Sequence, residues 1–144
     1  MNTTLVDPRG NSWVVEVAAG RRERRRGLLD RDGLPAGHAL LIRRARSIHT
    51  FGMRFSIIAA FLDEDLRVVS VRRLPPGRIA LPRVRARHVL ECPEGSDLRP
   101  GDRLVEANTG HPQVRWGRAM RVRAVRAGAA AGGKDRRRLR RSNG

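Results

Sequence analysis

One cysteine, Cys92, stands in 144 residues, so no internal disulfide can form and apolar packing must hold the fold. That usage suits a reducing compartment, and the expected location is the cytoplasm. Long apolar stretches are missing too: the longest run, Ile57-Ile58-Ala59-Ala60-Phe61-Leu62, has six residues, where a membrane-spanning helix needs about 20. The first twenty residues carry Asp7, Arg9 and Glu16 and no apolar segment of the kind a secretory signal requires. Tyrosine is absent, and three Phe and two Trp give no aromatic platform for reading single-stranded nucleic acid by stacking. The four histidines, His38, His49, His88 and His111, show no paired metal-ligand spacing. Neither a Gly-rich phosphate loop, a Gly-x-Ser-x-Gly elbow nor a His-Glu-x-x-His helix is present. No cofactor and no metal are expected, and the balance tilts away from an enzyme.

Arginine is what the sequence has in excess. Lys and Arg number 31 against 14 Asp and Glu, a net charge of +17, and Lys134 is the sole lysine. Residues 113–144 carry +10 and residues 1–112 carry +7. Such charge favours nucleic acid, another polyanion or an anionic membrane surface as partner, although a general preference for Arg and Ala would also raise it. The cluster Arg136, Arg137, Arg138, Arg140 and Arg141 is the densest. Its guanidinium forks suit phosphate oxygens without reading a base sequence.

The large apolar residues cluster between positions 12 and 107, so residues 1–110 are expected to form a single β-rich domain. Residues 111–144 form an Arg/Ala/Gly-rich tail in which Trp116, Met120, Val122 and Val125 share no helical face. Such a segment cannot offset an ordering cost of about 1–2 kcal/mol per residue and is expected to be disordered. Within the domain, Trp13, Val15, Val17 and Ala19 share one face of a first strand. Arg21 to Asp30 suits a short helix anchored by Leu28 and Leu29. Strands are expected at Ala39 to Ile42 and at Ser47 to Phe55, the second kinked at Gly52. Ile57 to Leu62, apolar on both faces, should be a buried strand in a hairpin with Arg67 to Leu74, across the turn Asp63-Glu64-Asp65. After a surface loop marked by Pro75, Pro76, Gly77 and Pro82, Val84 to Cys92 alternates. Its even positions are expected inward and Arg85, Arg87, Val89 and Glu91 outward, before a closing strand at Arg103 to Ala107. The expected class is α+β and β-rich: a small, largely antiparallel sheet or partial barrel with one short helix.

Three blocks carry a family resemblance. They are Glu23-Arg24-Arg25-Arg26-Gly27-Leu28-Leu29-Asp30-Arg31-Asp32-Gly33-Leu34, Ser47-Ile48-His49-Thr50-Phe51-Gly52-Met53-Arg54-Phe55, and Ala86-Arg87-His88-Val89-Leu90-Glu91 followed by Gly101-Asp102. Together they resemble a bacterial and archaeal family catalogued as domain of unknown function 192, over roughly residues 12 to 106, the middle block being the specific one. The resemblance implies a compact β-rich domain and no particular activity; relatives often carry an export signal. After the aromatic of the middle block the family usually reads Pro, then Ile or Leu, then Asp, whereas Ser56, Ile57 and Ile58 stand here. Either that aspartate is dispensable or a function of the relatives is lost.

Among polar residues, His49 and Arg54 of the middle block and Arg24 of the first could line a cleft for a small anion. The competing reading makes His49 a packing residue and Arg54 a solvated one. Cys92 and His88 are no catalytic dyad, because residues four apart on a strand lie about 13 Å apart, and Asp63, Glu64 and Asp65 suit a turn. Three functions compete: a non-enzymatic binding or accessory domain whose basic tail contacts an anionic partner, a small-ligand protein or enzyme with a cleft near His49, and a non-specific nucleic-acid-binding protein.

Overall fold

A computed structural model describes residues 2–107; the tail and its arginines, Arg136 to Arg141, lie outside the described residues. Alternation at Trp13 and Val15 produces β2 (Ser12–Ala18), which pairs antiparallel with β1 (Asn2–Val6), a strand the sequence pattern did not signal. The inward alternation of β2 switches near its end, where Ala18 is buried and Ala19 exposed. The helix α1 (Arg21–Arg26) follows. Glu23 starts it by accepting hydrogen bonds from the backbone N–H groups of Ala19 and Gly20 at 3.1 and 3.0 Å, which also lowers its pKa. Gly27 ends it by taking φ +48°, so the expected helix to Asp30 stops at Arg26. Next come β3 (His38–Arg43), β4 (Ile48–His49), β5 (Ile57–Leu62), β6 (Val68–Leu74), β7 (Ile79–Ala80), β8 (His88–Pro93) and β9 (Val105–Glu106).

Seven strands form one sheet in the order β6-β5-β8-β3-β2-β1-β9, and β4 and β7 form a separate two-stranded ribbon. Every pairing is antiparallel except β2 with β3, whose parallel register needs the crossover that α1 supplies. The sheet curls into a half-barrel. Its edges are tied by backbone bonds from Val68 N to Asp102 O at 2.7 Å, from Gly101 N to Val68 O at 2.8 Å and from Leu104 N to Leu66 O at 3.0 Å. The inner face buries Leu5, Trp13, Val15, Leu41, Leu62 and Leu90. Outside, α1, its following turn and the β4–β7 ribbon cover a second cluster that includes Leu28, Ile42, Ile48, Phe61 and Val89.

Because both faces of the sheet are covered, β8 departs from the expected alternation. It starts at His88, while Val84 sits 87% exposed in the preceding segment; Val89 and Glu91, expected outward, are buried. Likewise only Ile48–His49 of the segment Ser47 to Phe55 is strand, and turns fill the rest. The Asp63 turn matches expectation: its Oδ1 accepts from the N–H groups of Asp65 and Arg67 at 2.9 and 3.0 Å. Arg9 fastens the far end of the barrel. It grips Asp102 with two bonds of 2.9 and 2.7 Å and reaches Asp7 at 2.7 Å, holding the Asp102 carboxyl below its ordinary pKa.

Thr50 ties the ribbon to the loop after β6. It is fully buried; its Oγ1 donates to Pro75 O at 2.6 Å and accepts from Arg78 N at 2.9 Å. Thr50→Val keeps the shape but leaves both partners without that bond. Urea denaturation is expected to show a loss of about 1–3 kcal/mol, the usual penalty for orphaned buried polar groups.

Candidate functional site

The crossover from β2 to β3 leaves α1 standing over the edge of the outer cluster, and an open cleft of about 670 Å³ lies between it, the end of β3 and β4. Its floor is apolar, built from Leu28, Ile42, Ile48 and Met53. Its walls are basic: Arg21, Arg24, Arg25 and Arg26 come from α1, and Arg44 and Arg46 from the turn after β3. Arg26 pairs with Asp30 at 2.8 Å. The other five, Arg21, Arg24, Arg25, Arg44 and Arg46, make no ion pair among the described residues. Arg24 is fixed in part by donating to Arg43 O at 3.3 Å.

One acid reaches this cleft. Glu91 sits on β8 between Leu40 of β3 and Ala59 of β5, so its side chain leaves the sheet on the outer face, towards Gly27. It is 3% exposed, and its Oε2 has no hydrogen-bond partner among the described residues. Burial pushes the carboxyl up to about 7, against a partial opposing pull from Arg31. Gly27 lies against it: the positive φ of the turn calls for glycine, and a Cβ there would lie 4.0 Å from Glu91 Oε2, an ordinary contact. Burying an unpartnered carboxyl is costly, and a perturbed carboxyl that lines a cleft is a candidate for a functional group.

The structure brings Arg24 and His49 to the same cleft and leaves Arg54 outside it. His49 is exposed and stacks on Phe51 with ring centroids 5.4 Å apart. Arg54 is exposed and ion-paired with Asp32, which raises its pKa. Cys92 lies on the inner face and is fully buried, which pushes its thiol pKa up. His88 is half-buried, accepts a hydrogen bond from Arg44 N at 3.3 Å and has its pKa lowered by desolvation. Among the described residues no three His, Cys, Asp or Glu gather where they could hold a metal ion, and no helix is long and apolar enough to cross a membrane.

The three sequence blocks described above, distant along the chain, all contribute to this one cleft: Arg24 and Gly27 from the first, His49 and Met53 from the second, Glu91 from the third. A family profile described as "Uncharacterized ACR", domain of unknown function 192, matches residues 4–105. The chain belongs to this family. Its domain of unknown function 192 relatives include a UPF0127 protein of Pyrococcus abyssi, 38% identical over 103 residues that make up 66% of this chain and 86% of that one. A UPF0127 protein of Pyrococcus horikoshii is 45% identical over 62 residues, 40% of this chain and about half (54%) of the relative. Two solved structures share the fold. A Sinorhizobium meliloti protein provisionally described as a transcription regulator has a TM-score of 0.62 at 22% identity, over 73% of this chain and 92% of its own. A protein of unknown function from Novosphingobium aromaticivorans has a TM-score of 0.63 at 21% identity, over 73% of this chain and 84% of its own.

Glu91 and the pair Arg44 and Arg46 escaped the sequence reading. The signal for Glu91 was available: Val89 and Leu90 are apolar on opposite faces, the same pattern that marked Ile57 to Leu62 as buried on both sides. The raised Glu91 pKa makes a stability prediction. Between the unfolded carboxylate value and about 7 the folded state binds the extra proton, so stability falls as pH rises through that window. The expected decline is roughly 3 kcal/mol, at 1.36 kcal/mol per pKa unit. Denaturation measured across this range should show the slope in wild type and its absence in Glu91→Gln.

Proposed function

We propose that this chain is a non-enzymatic binding protein that takes a small anion, a carboxylate or a phosphate ester, in the cleft beneath α1, while residues 113–144 add electrostatic attachment to a polyanion. The observation that supports the first part most is the set of five arginines without ion-pair partners among the described residues that line one cleft, which the buried Glu91 also lines. Arginines that lack internal partners leave a positive potential, and the walls of a cleft focus it. Arg24, Arg44 and Arg46 would grip the anion through their forks, and His49 would meet it at the mouth. The protein's one thiol faces the opposite side of the sheet, so it offers no nucleophile here. The +10 of residues 113–144 supports the second part.

Calorimetric titration of the full chain with inorganic phosphate and with citrate tests the cleft. The double variant Arg24→Gln/Arg46→Gln is expected to bind at least about tenfold more weakly, each lost charged hydrogen bond being worth about 1.5–3 kcal/mol. Unchanged affinity would overturn the reading. The phosphate probe itself gains a proton as pH falls through about 7, so the Glu91 contribution is read as a difference: wild type should gain affinity relative to Glu91→Gln as pH falls through about 7, because protonation removes the Glu91 charge from the cleft. His49→Ala should show the same gain relative to a His49→Ala/Glu91→Gln double variant. The tail is tested separately: deleting residues 113–144 should abolish binding to mixed nucleic acid. If about six phosphates are contacted, log K should fall with log salt at a slope near 5. Equal binding with and without the tail would place any polyanion contact on the folded domain.

A further inference from the structure

Beside the cleft, the β4–β7 ribbon turns an apolar strip towards solvent. Cross-strand partners project to the same side. Ile48 and Ala80 are one such pair and are buried in the outer cluster; His49 and Ile79 are the next pair and therefore face out. Phe51 stacks on His49, Leu81 follows two positions after Ile79, and Val84 sits in the next turn. These side chains are large and strongly exposed: Phe51 50%, Ile79 59%, Leu81 69% and Val84 87%. A bond from Arg83 N to Arg46 O at 3.1 Å draws the two segments together. Arg46, Arg78 and Arg85, all exposed, stand among the apolar tips. No Asp or Glu occurs anywhere in residues 33–62 or 66–90, the two stretches that build this surface.

We propose that this strip docks the protein onto an anionic lipid bilayer, with Ile79, Leu81, Val84 and Phe51 entering the boundary between headgroups and acyl chains and Arg46, Arg78 and Arg85 contacting lipid phosphates. Aliphatic tips flanked by Arg46, Arg78 and Arg85, with the one neighbouring acid, Glu64, already paired to Arg87 at 3.2 Å, match an interface that is apolar below and negative above. Nucleic acid would reward the arginines but leave the exposed Ile, Leu and Val side chains without a partner. A second copy of the chain related by a two-fold axis would set these arginines against their own equivalents, and the nearest carboxylate, Glu64, is already engaged by Arg87. The docking shares Arg46 with the cleft but rests on the exposed apolar strip of Phe51, Ile79, Leu81 and Val84, which the cleft reading does not use.

The test uses the full chain with vesicles of phosphatidylcholine alone, or of phosphatidylcholine mixed with phosphatidylglycerol. Co-sedimentation is expected with the mixed vesicles only. Ile79→Ser/Leu81→Ser, both at exposed positions, should weaken it by about tenfold or more. Because the tail arginines can also draw the protein to anionic lipid, insertion is read directly: Leu81→Trp, compared with wild type, should shift its emission to shorter wavelength on mixed vesicles and not on duplex DNA. Vesicle binding unaffected by the serine variant, with no Leu81→Trp shift, would overturn the proposal and leave the tail as the attachment. A shift on DNA, or one that grows with protein concentration without lipid, would overturn it in favour of nucleic acid or self-association.

Discussion

The position of β8, between β3 and β5 with both of its faces covered, is the constraint on which the cleft depends. Alternation forces consecutive side chains to opposite faces, so Leu90 and Cys92 fill the barrel while Val89 and Glu91 enter the outer cluster. A strand with one wet face would have left Glu91 in solvent with an ordinary carboxylate pKa. Here α1 and its Gly27 turn close over it, and the carboxyl is held where its charged form is disfavoured. The parallel pairing of β2 with β3 is part of the same arrangement, since its obligatory crossover brings the helix to that end of the sheet.

Acid and base are then distributed unevenly. At one end Arg9 is matched by Asp7, Asp97 and Asp102, and its charge is answered within the fold. Around the cleft and the β4–β7 ribbon arginines outnumber carboxylates: Arg26 pairs with Asp30 and Arg87 with Glu64, while Arg21, Arg24, Arg25, Arg44 and Arg46 make no ion pair among the described residues. Exposed ion pairs contribute little to stability, so neither pattern decides whether the protein folds. The imbalance sets instead the sign of the potential around this face of the protein.

Much of the fold was legible in the sequence. The run Ile57 to Leu62 announced a fully buried strand, the acidic turn fixed the hairpin that follows, and the burst of helix formers after Gly20 placed α1. What escaped was set by tertiary contacts. In β1 only Thr3 and Leu5 turn inward, too few to show a period, and its place is fixed by pairing with β2 and β9. The burial of Glu91 depends on α1 covering a face that local alternation assigns to solvent. Of the candidate residues, Arg24 and His49 meet at the cleft because a helix and a ribbon distant in sequence are folded onto one sheet face. Arg54, five positions from His49, is carried away by the turns at Thr50 to Phe55 and pairs with Asp32 instead.

The same alternation bears on the position where this chain departs from the pattern of its relatives. The family resemblance leads one to expect an aspartate where Ile58 stands. On β5, Ile57, Ala59 and Phe61 belong to the outer cluster, while Ala60 and Leu62 belong to the inner one with Ile58 packed against it. A carboxylate at 58 would therefore leave the sheet on the side opposite Glu91 and the cleft arginines. Its replacement by isoleucine extends the apolar packing of the inner face, alongside Cys92, its register partner. The acid that lines the cleft is Glu91, supplied by β8.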